Sequence, residues 1–222
     1  MNINYTFHWY LAFKILPKML YGSITTIEIA FLSIIFGIIL GAILALAKNS
    51  NNKIIFSIAN TWIEISRNTP ALYQIYMAYF GLGTFGIYVG SFGALLIGIT
   101  FNNSGYLAET FRGGLRAIPA TQMKTGRSLG MNFFQSFIYI IFPQLFRIVF
   151  HSVTNQTVLA ILMTSLGVIV GMNTDLMGVT NELNALSFRT FEYFLFAAVL
   201  YYLITKIFLN SAYLLSFKLF KY

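Results

Sequence analysis

The chain has 222 residues, of which 58% are hydrophobic and only 9% carry a charged side chain. Since an ordinary soluble domain has about 25% charged residues, the composition excludes a water-soluble fold and predicts an all-α membrane protein. The net charge of +8 does not indicate nucleic-acid binding, because the basic residues lie in loops between apolar segments and form no single basic face.

Stretches without Asp, Glu, Lys or Arg predict five transmembrane helices. Each span needs about 20 apolar residues, so the long charge-free stretch 68–108 must contain two spans, and its glycine cluster predicts the loop between them. The predicted spans are Gly22–Ala47, Ile58–Phe80, Gly90–Thr110, Ile148–Met172 and Phe191–Leu214. Residues 1 to about 21 suit either a short interfacial helix before the first span or an ordinary lead-in to that span. We find no linker or repeat and predict one transmembrane domain over residues 1–222.

The distribution of basic residues predicts that the N-terminus lies outside and the C-terminus lies in the cytoplasm. Cytoplasmic loops of membrane proteins are enriched in Lys and Arg. With this orientation the cytoplasmic set is Lys48, Lys53, Arg112, Arg116, Lys124, Arg127, Arg147, Lys218 and Lys221. Lys14, Lys18 and Arg189 would then be external. The one long hydrophilic stretch, about 111–135, becomes a cytoplasmic loop and the predicted contact site for a partner protein.

Charged side chains inside predicted spans cost about 2.5 to 3.5 kcal/mol each on insertion scales and usually face a cavity or a partner. Those in this chain are Glu28, Glu64, Arg67, Glu109 and Lys206. Glu64 and Arg67 are three residues apart, as are Glu109 and Arg112, so each pair shares a helix face. Two interpretations of these four side chains stay open, structural pairing and a role in transport.

Small and amide residues inside the spans indicate close helix contacts. Gly37, Gly41 and Ala45 recur every four residues and allow another helix backbone to approach. Amides occur at Asn102 and Asn103 in the third span and at Asn155 and Gln156 in the fourth. They serve either to bind substrate or to join helices, and the sequence alone does not separate these roles.

Motifs for catalysis and cofactor binding are missing from the sequence. No segment matches the phosphate-binding pattern G-x-x-x-x-G-K-[ST], and there is neither a nucleophile elbow nor a His-Glu-x-x-His helix. The chain has no cysteine and only two histidines, which are too few for a zinc site. We therefore predict that the chain is not an enzyme and holds no cofactor or metal.

Several ordered motifs resemble the polar amino-acid branch of the ABC importer permeases. The most extensive is Gly105-Tyr-Leu-Ala-Glu-Thr-Phe-Arg-Gly-Gly-Leu-Arg-Ala-Ile-Pro119, followed by Gln122 and by Ser128-Leu-Gly130. Further matches are Thr25-Thr26, Arg67-Asn-Thr-Pro-Ala-Leu-Tyr-Gln74, Phe142-Pro-Gln144, Asn155 and Thr164-Ser-Leu166. These segments cover most of the chain in the family's order.

The resemblance implies a type I importer permease of the bacterial cytoplasmic membrane, with five spans and a cytoplasmic coupling helix between spans three and four. That helix, expected near Pro119–Met131, would dock in a groove of a separate ATPase subunit. The residues implied in ATPase coupling are Gln122, Met123, Lys124, Thr125, Gly126, Arg127, Leu129 and Gly130. The substrate path is predicted along Arg67, Gln74, Asn102, Asn103, Tyr106 and Asn155.

The implied partners are a dimer of ABC ATPases that binds ATP and Mg²⁺, a second permease subunit, an extracellular or periplasmic amino-acid-binding protein, and an amino-acid substrate. The sequence departs from the family where Lys124-Thr125-Gly126 replaces Glu-Ala-Ala, and where Leu162-Met163 stands in place of Lys-Asp. These departures favour a heterodimer over a homodimer of altered specificity. The alternative function is an ion-gradient-driven secondary transporter or channel subunit, which typically shows an internal repeat.

Overall fold

The computed structural model describes residues 5–220, which form helices joined by turns and include no strand. The helices are α1 (Trp9–Ala47), α2 (Lys53–Asn68), α3 (Ala71–Tyr76), α4 (Leu82–Thr84), α5 (Ser91–Ala117), α6 (Ala120–Ser128), α7 (Phe133–Ser136), α8 (Phe142–Met163), α9 (Leu176–Ser187) and α10 (Thr190–Leu219). Helical turns of other types lie at Met77–Gly81 and Phe137–Ile141, both π, and at Thr164–Val170, which is 3₁₀.

Three helical segments in the described part of the chain are long and apolar enough to cross a membrane: Trp9–Ala47, Phe133–Val170 and Thr190–Leu219. They contain most of the first, fourth and fifth predicted spans. The second predicted span corresponds to α2–α4 and the third to α5. Both regions are helical, but neither has the combined length and apolar character found in the other three segments. The second is interrupted before Pro70, and the third carries polar side chains. The prediction of five spans is therefore confirmed for three.

Two prolines lie inside helical segments. Pro17 lies within α1, which is continuous from Trp9, so over the described residues the interpretation of a separate interfacial helix before the first span is wrong. Pro143 follows the π turn, where the Phe142 N–H donates to the Phe137 carbonyl five residues earlier. Proline lacks an N–H and its ring crowds the carbonyl four residues before it. The wider turn accommodates this loss and lets α7 continue into α8.

The described residues divide into two compact units. The first comprises the chain up to Ser33 together with Ala71–Ile99 and Val158–Asn210. The second comprises Ile34–Pro70, Thr100–Thr157 and the chain from Ser211 onward.

The first unit has an apolar core in which Met19, Leu95 and Leu176 are fully buried. Its α9 is capped by Asp175, whose side-chain oxygens accept from the N–H groups of Met177 and Gly178 at 3.2 and 3.1 Å. Burial raises the pKa of Asp175 above its ordinary value.

The hydroxyl of Thr26 on α1 adds a further hydrogen bond at the start of α9. Its Oγ1 accepts from the N–H of Leu176 at 3.1 Å. The first turn of a helix leaves its N–H groups without partners inside the helix, so side-chain acceptors stabilise it. Thr26 therefore joins α1 to α9 within the first unit.

The second unit is organised around the second part of α5. A Cβ added at Gly37 of α1 would lie 2.7 Å from Asn103 Cβ, and one at Gly41 would lie 2.9 Å from Leu107 Cβ. A Cβ at Gly105 would lie 1.8 Å from Oγ of Ser66 on α2. These distances are shorter than van der Waals contact, so the small residues let three helices meet at α5. The close approach predicted for Gly37 and Gly41 is confirmed.

Close packing in the first unit gives a direct test of the fold. A Cβ at Gly98 of α5 would lie 2.6 Å from Ile75 Cγ1 and 2.8 Å from Ile75 Cα, and a backbone atom cannot turn aside. We expect Gly98→Ala to destabilise the detergent-solubilised protein by about 1 to 3 kcal/mol, measured by thermal unfolding. The control is Gly93→Ala on the same helix, where the nearest atom is 3.5 Å away and the higher helix propensity of alanine favours folding. Equal stability of the two variants would refute the contact.

Candidate functional site

A short helix, α6, forms at Ala120–Ser128 in the long hydrophilic stretch, inside the range expected from the sequence. It follows Pro119, and it ends where Gly130 takes a left-handed conformation with φ of +86°. The N–H of Met131 donates to the Gly126 carbonyl and that of Gly130 to the Arg127 carbonyl. This pair of bonds is the Schellman arrangement, which requires a left-handed residue and therefore favours glycine.

One side of α6 faces the rest of the second unit. Met123 packs against the core formed by Ile118, Leu145 and neighbouring apolar residues. Gln144 of α8 donates a hydrogen bond from Nε2 to Oε1 of Gln122. Sequence reasoning matched Gln144 to the family but gave it no role, and the structure shows that it holds α6. Of the predicted coupling residues, Gln122 and Met123 thus contact the chain itself.

The buried side of α6 explains the glycine that departs from the family pattern. Gly126 is buried, and an added Cβ would lie 2.7 Å from Ile140 Cδ1 and 2.9 Å from Ser136 Oγ. The helix therefore approaches α7 and the π turn Phe137–Ile141 so closely that an alanine at this position would require the neighbouring side chains to move. Ser136 and Ile140 lie at least ten residues away, so no local sequence signal identified this contact.

The other side of α6 is exposed and basic. Lys124, Thr125, Arg127 and Leu129 are exposed, and Leu129 retains 76% of its accessible surface. An exposed leucine that follows two exposed cations on the same short segment is suited to docking in a groove that is apolar at its floor and acidic at its rim. Gly130 is exposed as well, at the point where the chain turns away.

Arg67, the first of the predicted path residues, lies at the end of α2 and is exposed. Its guanidinium lies 5.5 Å from the centre of the Tyr106 ring, and the Tyr106 hydroxyl donates to the Arg67 carbonyl at 3.3 Å. No ion pair joins it to Glu64 in the described residues, although the spacing allowed one. Instead, Asn68 Nδ2 donates to Glu64 Oε2 at 2.9 Å. The Arg67 guanidinium therefore has its charge available to an anion.

Asn102 and Asn103 on α5 are buried and join helices of the second unit. Nδ2 of Asn102 donates to the Ser66 carbonyl at 3.3 Å, and Oδ1 of Asn103 accepts from Gln156 Nε2 of α8 at 2.9 Å. Asn103 Nδ2 has no partner within the described residues. Sequence reasoning missed the neighbouring bond from Trp62 Nε1 to Ser104 Oγ, also 2.9 Å long.

The remaining path residues differ in exposure. Asn155 of α8 is exposed, whereas Gln74 of α3 is buried in the first unit. In the second unit the structure thus brings Arg67 and Tyr106 together. Their role in substrate binding stays a prediction.

Glu109 and Arg112 form an ion pair, which is one of the two interpretations that their spacing left open. Lys48, which follows α1, also pairs with Glu109, its Nζ lying 2.9 Å from Oε1. Sequence reasoning assigned Lys48 only to the cytoplasmic set of basic residues, because its partner lies 61 residues further along the chain. The three side chains make one cluster, which we call the Glu109 cluster.

Comparison with known proteins places these features in a family. The family model described as "Binding-protein-dependent transport system inner membrane component" matches residues 33–221. A probable amino-acid ABC transporter permease protein of Vibrio harveyi is 31% identical over 192 residues, covering 85% of this chain and 86% of that protein. The glutamine transport system permease protein of Escherichia coli K12 is 28% identical over 203 residues, covering 90% and 92%.

A solved structure described as an amino acid ABC transporter with histidines has the same fold. It superposes with a TM-score of 0.87 at 28% identity, covering 96% of this chain and 100% of that one. Since the family model matches well over half of the chain, the chain belongs to the binding-protein-dependent transport inner membrane component family, as a permease subunit of an amino-acid ABC importer.

Proposed function

We propose that this subunit carries an amino acid across the bacterial cytoplasmic membrane and that a separate dimer of ATPase subunits supplies the energy. The observation that carries the proposal is the two-sided character of α6. Met123 and Gly126 hold the helix against its own unit, while Lys124, Arg127 and Leu129 remain exposed. A helix fixed on one side and exposed on the other is suited to pass a partner's movement to the spans.

The exposed charges of α6 predict the charge of the groove in the ATPase subunit that receives this helix. Lys124 stands where the family has glutamate, so the partner ATPase should present acidic residues opposite Lys124 and Arg127. ATP and Mg²⁺ belong to that partner. In this orientation α6 and the C-terminus lie in the cytoplasm and the N-terminus lies outside, as the distribution of basic residues predicts.

The substrate path should run between this chain and a second permease, with an extracellular or periplasmic binding protein delivering the amino acid. We propose that Arg67 binds the substrate carboxylate, because its guanidinium is exposed, is not paired with Glu64, and is held beside Tyr106. An arginine binds a carboxylate through two parallel hydrogen bonds. Leu162 and Met163 place no charge where the family carries Lys-Asp, which favours a heterodimer whose other half keeps those charges.

Transport by a reconstituted complex tests the class of machine. The chain is placed in liposomes with its ATPase, second permease and binding protein, and uptake of labelled amino acids is measured. We expect uptake that requires ATP on the ATPase side and disappears with a non-hydrolysable analogue or when the ATPase is omitted. Uptake driven by an ion gradient without ATP would contradict the proposal and favour a secondary transporter.

The same assay tests the role of Arg67. We expect Arg67→Gln to raise the KM for uptake about tenfold or more, because a charge-assisted hydrogen bond contributes about 1.5 to 3 kcal/mol. Arg67→Lys should have a smaller effect, since lysine keeps the charge but lacks the planar fork. Glu64→Gln, one turn away on α2, is the control and should leave KM unchanged. An unaltered KM in Arg67→Gln would remove this residue from the path.

A further inference from the structure

The Glu109 cluster joins two separate helical elements through one carboxylate. Oε1 of Glu109 lies 2.9 Å from Lys48 Nζ, and Arg112 Nε donates to Oε1 and Oε2 of Glu109 at 3.2 and 3.1 Å. Arg112 Nη2 donates to Oε2 as well. The three side chains retain only 14%, 17% and 19% of their accessible surface for Lys48, Glu109 and Arg112. Solvent therefore screens these pairs less than it would exposed ones.

The two cations have different roles because of where they lie. Arg112 is on α5, three residues from Glu109, so its ion pair links residues of one helix. Lys48 follows the last residue of α1, so its bond links α1 to α5. Removing the lysine charge would leave Glu109 paired with Arg112. A substitution at Lys48 thus breaks the link between helices without leaving a carboxylate unpaired.

The cluster continues a contact that already runs along both helices. Gly37 meets Asn103 and Gly41 meets Leu107, so the contact advances by one turn on each helix. The Lys48–Glu109 bond lies beyond both of these contacts in the same direction along the two helices. Eight residues after Glu109, α5 ends at Ala117, and Pro119 leads into α6. The end of α1 is therefore tied to the C-terminal third of α5, the part of the helix that leads to α6.

We propose that Lys48 and Glu109 are positioning residues that make the end of α1 move together with the end of α5 when α6 is displaced. This inference rests on the proposed function, since it concerns how movement of an ATPase reaches the transport path. Without the bond, α5 would follow α6 while α1 lagged behind. ATP would then be hydrolysed without a matching transfer of substrate.

The ratio of ATP hydrolysed to amino acid taken up tests this role in the complete reconstituted complex. We expect Lys48→Met to raise that ratio at least about fivefold, with the rate of ATP hydrolysis little changed. Lys48→Arg should restore the wild-type ratio, because it keeps a cation of sufficient reach. The matched control is Lys53→Met, which removes an exposed lysine from the other end of the same turn and should leave the ratio unchanged.

Glu109→Asp provides a second variant in which Arg112 keeps a carboxylate neighbour while the link to Lys48 is lengthened. We expect an intermediate ratio. A ratio in Lys48→Met equal to that in Lys53→Met would overturn the inference. So would misfolding of both Lys48→Met and Glu109→Asp on size-exclusion chromatography, which would assign the bond to folding. Failure of the wild-type complex to show ATP-driven uptake would instead contradict the proposed function, so the two failures are distinguishable.

Discussion

The close contact of α5 with α1 and α2 is the constraint on which the second unit depends. Lipid is as apolar as a leucine side chain, so helices in a membrane gain little from the hydrophobic effect when they associate. They associate through van der Waals contact and hydrogen bonds. Gly37, Gly41 and Gly105 bring the backbones together, and the Asn103–Gln156 bond fixes α8 to the same helix. Larger side chains at these glycines would separate the elements that position Arg67 and α6.

This packing explains how one unit combines a path residue and a docking helix. Ser66 lies against Gly105 on one side of α5, and its neighbour Arg67 lies beside Tyr106. Further along α5, Gly114 packs closely against Leu145 and Val149 of α8, which belong to the core that also holds Met123 of α6. A displacement of α6 therefore acts on packed side chains. Such interfaces transmit movement as shifts of whole elements.

The sequence predicted features that depend on spacing along one helix and missed those that depend on distant partners. Glycines four residues apart predicted the contact of α1, and the Glu109–Arg112 ion pair is one of the two interpretations that its spacing left open. Glu64–Arg67 has the same spacing, yet Asn68 bonds to Glu64 and Tyr106 lies against Arg67. The roles of Gly126 and Lys48 depend on residues that only the fold brings near. Of the other two predicted spans, one is interrupted before Pro70 and one is rich in polar residues, and neither combines the length and apolar character of the other three.

The central claim is that the ends of α1 and α5 form one moving element, and the distance between them during transport tests it most directly. The chain contains no cysteine, so spin labels can be placed at Leu46→Cys and Gly113→Cys, two exposed positions that flank the Glu109 cluster. Dipolar EPR spectroscopy then measures the distance between the labels in the complex without nucleotide and with ATP trapped. The account predicts the same distance distribution in both states. A second, clearly separated distance in the ATP-trapped state would contradict it.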